Sequence, residues 1–277
     1  MLDFFVVDEI IKNALREDIG WGDITASATI PAGKQIQGRF IAKEKTVVCG
    51  LPVAQRVFQI IDPDVKMDIL AAEGSTVAQG DVIALISGNA RSVLAGERVA
   101  LNFLQRMSGI AARTQECVRQ VAGTKARISD TRKTTPGLRI LEKYAVRTGG
   151  GSNHRYNLSD GVLIKDNHIK AAGGIRQAVK TARDSIPHTM KIEVEAEDFE
   201  MIKEALACHV EIIMLDNMSV ADMEKAVELI GGRALVESSG NMGDRDLKQV
   251  AATGVDIISM GALTHTVKSA DISLRFD

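Results

Sequence analysis

A chain of 277 residues, 45% hydrophobic and 25% charged, can bury a large core in one or two domains. The net charge is only −2, and no apolar run approaches the roughly 20 residues needed to cross a bilayer, so neither a nucleic-acid coat nor a membrane span is expected. The opening MLDFFVVDEIIKNALRED has acids where a signal peptide has basic residues, and Cys49, Cys117 and Cys208 are too scattered for a disulfide framework. A cytoplasmic protein with structural thiols is expected.

In the N-terminal third, Val7, Ile10, Ile11, Ala14 and Leu15 recur at helical spacing. IQGRFIAKEKTVVCG reads as strand, and LPVAQRVFQII as a helix with Pro52 near its start. VKMDILAAEGSTVAQGDVIALISG reads as short strands punctuated by Gly74, Gly80 and Gly88. A long helical stretch follows, SVLAGERVALNFLQRMSGIAARTQECVRQVAG, in which Ser108-Gly109 marks a plausible break. Residues 1–107 are expected to form an α+β domain.

Residues 108–277 have a rhythm. Six short apolar runs (in ARISDTRKT, GVLIKDNH, KIEVEAE, EIIMLDN, ALVESSGN and DIISMGAL) are mostly separated by helical segments such as GGIRQAVKTARDS and SVADMEKAVELI. Strands alternating with helices imply right-handed βαβ units and a parallel sheet, an α/β arrangement. The irregular segment between the first two runs, residues 134–158, leaves the strand count open. Thr131, Arg132, Lys133, Lys165, Glu195, Asp216, Ser239, Gly240 and Gly261 all fall at or near the C-terminal ends of their runs. A (β/α) barrel gathers such ends on one face, which favours a barrel over an open sheet.

Charge supports a site there. From Lys125 to Lys165 there are nine Lys/Arg against three Asp/Glu, whereas from Asp166 onward 12 basic residues face 19 acids. The basic residues sit among turn residues rather than along a helix face, and aromatic residues are few, so a pocket for a small polyanion fits better than nucleic acid. In SDTRKTTPGLR, Arg132 and Lys133 suit a carboxylate or a phosphate. Gly149, Gly150 and Gly151 precede His154 and Arg155, which would let backbone approach a ligand closely. Glu195 and Asp216 read as helix caps, as acceptors for sugar hydroxyls, or as carboxylates near Mg²⁺. ESSGN and SMGAL, on the last two runs, form a matched pair of small-residue loops of the kind that hold phosphate. In DGVLIKDNHIKAAGG a buried-type strand ends abruptly in Lys165, Asp166, Asn167 and His168. Four polar side chains directly after a core-type strand are costly to bury, which raises the question of what they hold. No nucleophile constellation, metal cage or Walker lysine loop is evident.

Together DTRKTTPGLR, GGGSNHRYNLSDGVLIKDNHI, EVE, IIMLDN, VESSGN and ISMGALTH resemble the quinolinate phosphoribosyltransferase family, nicotinate-nucleotide pyrophosphorylase (carboxylating). REDIGWGDITA and ERVALNFLQRMSGIA are similar to the same family, so the resemblance runs the length of the chain. It implies an N-terminal α+β domain and an incomplete parallel (β/α) barrel over 108–277. It also implies transfer of a phosphoribosyl group from 5-phosphoribosyl 1-diphosphate to quinolinate, with Mg²⁺ and decarboxylation, in NAD biosynthesis. A homodimer with shared active sites would bring Arg98 to a quinolinate carboxylate in the partner. By the same resemblance Thr131, Arg132, His154, Arg155 and Lys165 would line the quinolinate pocket, with Lys133 between the substrates. Glu195 and Asp216 would meet ribose hydroxyls and Mg²⁺, and Ser239, Gly240, Asn241, Met260, Gly261 and Ala262 would hold the 5-phosphate. Two rivals are a barrel of the same fold acting on another pyridine-like anion, and a non-catalytic phosphometabolite-binding barrel. The second has no need for both Lys133 and Lys165 beside the acids.

Overall fold

The computed structural model describes residues 2–276. It begins with helices α1 (Phe4–Ile19) and α2 (Ile24–Thr29), then β1 (Gln35–Ala42), β2 (Thr46–Val47) and α3 (Leu51–Ile61). Strands β3 (Lys66–Ile69), β4 (Thr76–Val77) and β5 (Val82–Asn89) lead into the long α4 (Ala90–Gln120). Next come β6 (Arg127–Ser129), α5 (Arg139–Thr148), β7 (Val162–Ile164), α6 (Asp166–Ala172) and α7 (Ile175–Ser185). The regular alternation then runs β8 (Ile192–Ala196), α8 (Phe199–Ala207), β9 (Ile212–Asp216), α9 (Val220–Ile230) and β10 (Leu235–Ser239). After a 3₁₀ turn at Met242–Asp244 come α10 (Leu247–Ala252), β11 (Ile257–Ser259), α11 (Ala262–His265) and β12 (Ile272–Phe276). The chain divides into two compact units: residues 1–115, 135–150 and 266–277, and residues 116–134 with 151–265.

The first unit holds an antiparallel sheet in the order β12-β1-β5-β3 and the small pair β2-β4. In α1, Asp3 accepts the Phe5 N–H at 3.0 Å, and the buried Val7, Ile11 and Leu15 follow at i, i+4 spacing. The start of α3 has no side-chain cap of its own. The Glu73 carboxylate serves instead, accepting the N–H groups of Gly50 at 2.6 Å and Leu51 at 3.3 Å. Burial raises the Glu73 pKa, and these N–H groups offset that only in part.

The expected break at Ser108-Gly109 does not occur, since α4 is continuous through both residues. Their smallness serves packing instead. The Ser108 hydroxyl accepts the Cys49 N–H at 3.0 Å and donates to the Cys49 carbonyl at 3.2 Å. A Cβ at Gly109 would collide with the Lys268 carbonyl oxygen. The irregular segment contains a helix, α5, whose Glu142 is 1% exposed and pairs with Arg106 at 2.6 Å. Glu142 also accepts the Thr135 N–H at 3.1 Å.

In the second unit all six apolar runs form strands of one parallel sheet, ordered β6-β11-β10-β9-β8-β7. Its edges, β6 and β7, share no ladder among the described residues; a single parallel bridge joins Ser129 to Ser152. The sheet is thus an incomplete barrel with its gap between the first two strands. Ile192, Val194, Ile213, Leu215, Val236 and Ile258 are buried, and α7 and α8 pack on β8. The alternate positions, which include Glu193, Glu195, Asp216, Glu237 and Ser239, share the opposite face.

The Gly109 packing is testable by thermal unfolding. Alanine is the better helix former by about 1 kcal/mol, yet Gly109→Ala is expected to lower Tm by on the order of 5 °C through overpacking. A higher Tm would show that propensity, not close approach, governs this position.

Candidate active site

Strand register brings the charged residues to one end of the sheet. Ser239 lies opposite Asp216, and Glu195 opposite Met214 one step below. Lys165 directly follows β7, and Asp130 to Lys133 directly follow β6. The capping alternative for the two acids fails. The helices after β8 and β9 are capped by Asp198, which accepts the Met201 N–H, and by Ser219, which accepts the Asp222 N–H. Glu195 and Asp216 are left for other work.

Lys165 Nζ stands 3.3 Å from Glu195 Oε2, an exposed ammonium over a mostly buried carboxylate. Burial raises the Glu195 pKa, Lys165 opposes this, and Asp216 adds to it. The polar step after β7 is the first turn of α6. His168 Nδ1 accepts the Lys165 N–H at 3.0 Å, capping the helix and fixing the backbone that carries the lysine. Gly173 and Gly174, with φ of +87° and +134°, close α6 and start α7.

The loops after β9 and β10 interlock. Asn217 (φ 56°) donates its N–H to the Ser239 carbonyl at 3.1 Å, and its side chain donates to Asp216 at 2.8 Å. Gly240 has φ +93°, and a Cβ there would run into the Asn217 amide oxygen, so only glycine fits. Asn241, also left-handed at φ 51°, starts the 3₁₀ turn. After β11, a Cβ on Gly261 would lie 2.9 Å from Lys133 and His265 side-chain atoms. The Thr264 hydroxyl donates to the Lys133 carbonyl at 2.8 Å, tying the two loops together. Met260 is 1% exposed, so only its backbone can face a ligand, beside Gly261 and Ala262.

On the other side stand Thr131, Arg132, His154 and Arg155, all half-buried, with Lys133 exposed. Thr131 Oγ1 accepts the Lys133 N–H at 3.0 Å. The Arg155 pKa is lowered by burial first and then by repulsion from Arg132, so two guanidinium charges act on the same region. That is the electrostatics of a site completed by an anion. Arg98 differs from the other candidates in lying on α4 within the first unit, where it is exposed.

Residues not singled out from sequence complete the site. Asp130, fully buried, accepts the His154 N–H at 2.9 Å and a hydrogen bond from the Asn153 amide. Glu193 and Glu237 flank the His154 ring. A cavity of about 600 Å³ is lined by these two, His154, Arg155, Arg127 and Lys191, and follows the N-terminal halves of the strands. It adjoins the strand-end residues without including Lys165, Glu195 or Asp216. The period-two spacing of Glu193 with Glu195 and of Glu237 with Ser239 is the sequence signal that would have revealed both acids.

Glu237 has its pKa pushed up from 4.5 to about 7, by burial first and then by the Glu193 charge, with His154, Ser259 and Lys165 pulling it down. A raised carboxyl holds its proton more firmly in the folded chain. Its stabilising effect is therefore complete below about 4.5 and is lost as pH rises to about 7. Glu237→Gln, which cannot ionise, should gain stability relative to the parent by on the order of 1–3 kcal/mol between pH 4.5 and 7.5 in urea unfolding. A pH-independent difference would contradict this.

Family models match almost the whole chain: the N-terminal domain of quinolinate phosphoribosyl transferase over residues 23–108 and its C-terminal domain over 110–275. A probable nicotinate-nucleotide pyrophosphorylase [carboxylating] of Synechocystis is 45% identical over 275 residues, covering 98% of this chain and 93% of the relative. A protein of the same name in Bacillus subtilis is 42% identical, with 96% and 92% covered. The crystal structure of NadC from Streptococcus pyogenes is similar with a TM-score of 0.93 at 43% identity, covering 100% of this chain and 99% of that one. That of the nicotinate-nucleotide pyrophosphorylase from Francisella tularensis reaches 0.95 at 38% identity, covering 100% and 98%. With family models spanning both halves and relatives matching end to end, this chain belongs to the quinolinate phosphoribosyltransferase family.

Proposed function

We infer that this protein is a quinolinate phosphoribosyltransferase (decarboxylating), a pentosyltransferase of NAD biosynthesis. It joins quinolinate to 5-phosphoribosyl 1-diphosphate and yields nicotinate mononucleotide, pyrophosphate and CO₂. Beyond the family match, the observation that carries the reading is the partition of charge in the second unit. Arg132 follows β6 and Arg155 precedes β7, with their charges repelling, whereas Glu195 and Asp216 end β8 and β9, with Lys165 paired to Glu195. Two anionic substrates, one with a neutral-polar sugar between its phosphates, need such a division.

In this reading Arg132, Arg155, Thr131, His154 and Lys165 surround quinolinate, and Lys133 stands between the substrates. Glu195 and Asp216 accept ribose hydroxyl protons. The backbone N–H groups of Ser239, Gly240 and Asn241, and of Met260, Gly261 and Ala262, hold the 5-phosphate, with glycines permitting its close approach. The pyridine nitrogen bonds to the anomeric carbon as the bond to diphosphate breaks, and basic side chains offset the leaving charge. The ribosylated nitrogen is then cationic. It stabilises the electron pair left at C2 when the C2–carboxylate bond breaks and CO₂ departs, and a proton is taken up at C2. No covalent nucleophile is required.

Mg²⁺ fits the residues present. Glu195 Oε2 is buried and makes no hydrogen bond beyond its ion contact with Lys165, and Asp216 stands half-buried on the adjacent strand. Two hard carboxylates of this kind, directly or through water, usually share Mg²⁺ with substrate phosphates. The ion would supply charge neutralisation at the leaving diphosphate.

A homodimer is proposed because Arg98 is exposed in the first unit, which also exposes Phe5, Trp21 and Ile24 at 90%, 109% and 84%. Such apolar surface fits a partner subunit. Among the described residues no helix is long and apolar enough to cross a membrane. Among the described residues Cys49, Cys117 and Cys208 form no disulfide, in keeping with a cytoplasmic setting.

The direct test is release of CO₂ and formation of nicotinate mononucleotide by purified protein supplied with Mg²⁺, quinolinate and 5-phosphoribosyl 1-diphosphate. Equal use of nicotinate without CO₂ release would overturn the assignment. Lys165→Ala should lower kcat/KM by about 100-fold or more. Chelation should abolish turnover and added Mg²⁺ restore it. Mixing inactive Arg98→Ala with inactive Lys165→Ala should recover activity through hybrid dimers; no recovery despite proven subunit exchange would refute a shared site.

A further inference from the structure

The His154 ring is held at Nδ1, and its Nε2 faces two buried carboxylates. Its Nδ1 accepts the Arg155 backbone N–H at 2.8 Å. Its Nε2 lies 3.2 Å from Glu193 Oε2 and 3.5 Å from Glu237 Oε1. Glu193 and Glu237 are 4% and 2% exposed, and Glu237 Oε1 has no hydrogen-bond partner of good geometry. Three ligand-type atoms within 4.8 Å of one another would suit a metal ion by spacing alone. The hydrogen bond to Nδ1 argues against that. A ring nitrogen that accepts an N–H carries no proton, so the neutral ring must keep its proton on Nε2, the atom a metal would need bare. A histidine ligand normally donates from its far nitrogen, the reverse of what is found. The cluster therefore holds a proton.

We propose that Glu237, with Glu193, is a positioning residue of the quinolinate pocket: it fixes His154 as its Nε2–H tautomer, and His154 in turn fixes Arg155. This rests on the reading of Arg155 as a quinolinate contact. Nδ1 of His154 is then closed to quinolinate, because it accepts the Arg155 N–H. Its ring is the strut between the polar face of β8 and β10 and the backbone of Arg155. The strut has two other anchors. Asp130 accepts the His154 N–H at 2.9 Å, and Arg155 Nη1 donates to the Gly161 carbonyl at 2.8 Å. With one guanidinium arm tied back and its backbone tied to the ring, Arg155 has its remaining donors aimed before substrate arrives. Pre-set geometry of this kind is worth more to a planar dianion than to a flexible one.

The experiment has two arms. In the first, ¹⁵N spectra of the imidazole groups in the ligand-free protein, with His154 assigned by His154→Gln, should show a neutral Nε2–H ring at pH 7.5. An imidazolium pattern or the Nδ1–H tautomer would overturn the proposal. This arm uses no substrate, so it stands even if the protein fails to release CO₂ from quinolinate. In the second, Glu237→Met, similar in size but without an acceptor for Nε2–H, should raise KM for quinolinate about tenfold. The KM for 5-phosphoribosyl 1-diphosphate and kcat should stay within about threefold, and Glu237→Gln, whose carbonyl can still accept, should restore the quinolinate KM. Equal loss for both substrates, or an unchanged quinolinate KM, would refute the positioning role. If Glu237→Met does not fold, Glu237→Gln alone decides: a loss of the Nε2–H signature in that variant overturns the proposal, and its retention supports it.

Discussion

Placing carboxylates on the inward face of a parallel sheet is the constraint on which this structure turns. A parallel sheet usually buries both faces, and each buried charge costs several kcal/mol unless it is paired or neutralised. Glu193, Glu195 and Glu237 sit on that face with side chains 5%, 13% and 2% exposed. Each is answered by a neighbour: Glu195 by the Lys165 ammonium, and Glu193 and Glu237 by the His154 ring, with burial also holding Glu237 toward its neutral form. Around these compensations the site is organised. Removing one would leave its partner charge stranded in the barrel interior.

The compensating groups come from loops, and the loops are held by backbone geometry that few residues can adopt. Asn217 and Asn241 take left-handed conformations, and Gly240 approaches Asn217 so closely that no side chain fits. Lys165 is aimed by a helix whose first turn is capped by His168. Aspartate 130 anchors the chain where His154 and Arg155 begin. Left-handed backbone and close approach at Asn217, Gly240 and Asn241 thus lie at the strand ends, where a ligand can repay them.

Much of the architecture was legible from periodicity. The six apolar runs became six parallel strands because short β-branched runs bounded by turn residues have few other stable outcomes. The long α4 shows the limit. Ser108-Gly109 looks like a helix break, and in an isolated peptide it would weaken the helix by about 1 kcal/mol. The helix continues because Cys49 and Lys268, remote in sequence, pack against those two small residues. Helix α5 was obscured similarly: its buried Glu142 reads as a surface residue until Arg106 is seen to hold it.

The sequence by itself determined the strand–helix alternation of the second unit, the parallel sheet and the charged strand ends, because these follow from local spacing and from residue types costly to bury. It also brought Lys165, Glu195 and Asp216 to notice, since each interrupts an apolar run. Only the tertiary structure decided which charges meet. Glu193 and Glu237 lie 44 positions apart, yet both face His154 because β8 and β10 flank β9 with their even-spaced residues on one face. The tautomer of that histidine depends on a backbone N–H one residue on and carboxylates from two strands. A cluster assembled from three places in the chain has no linear pattern to betray it.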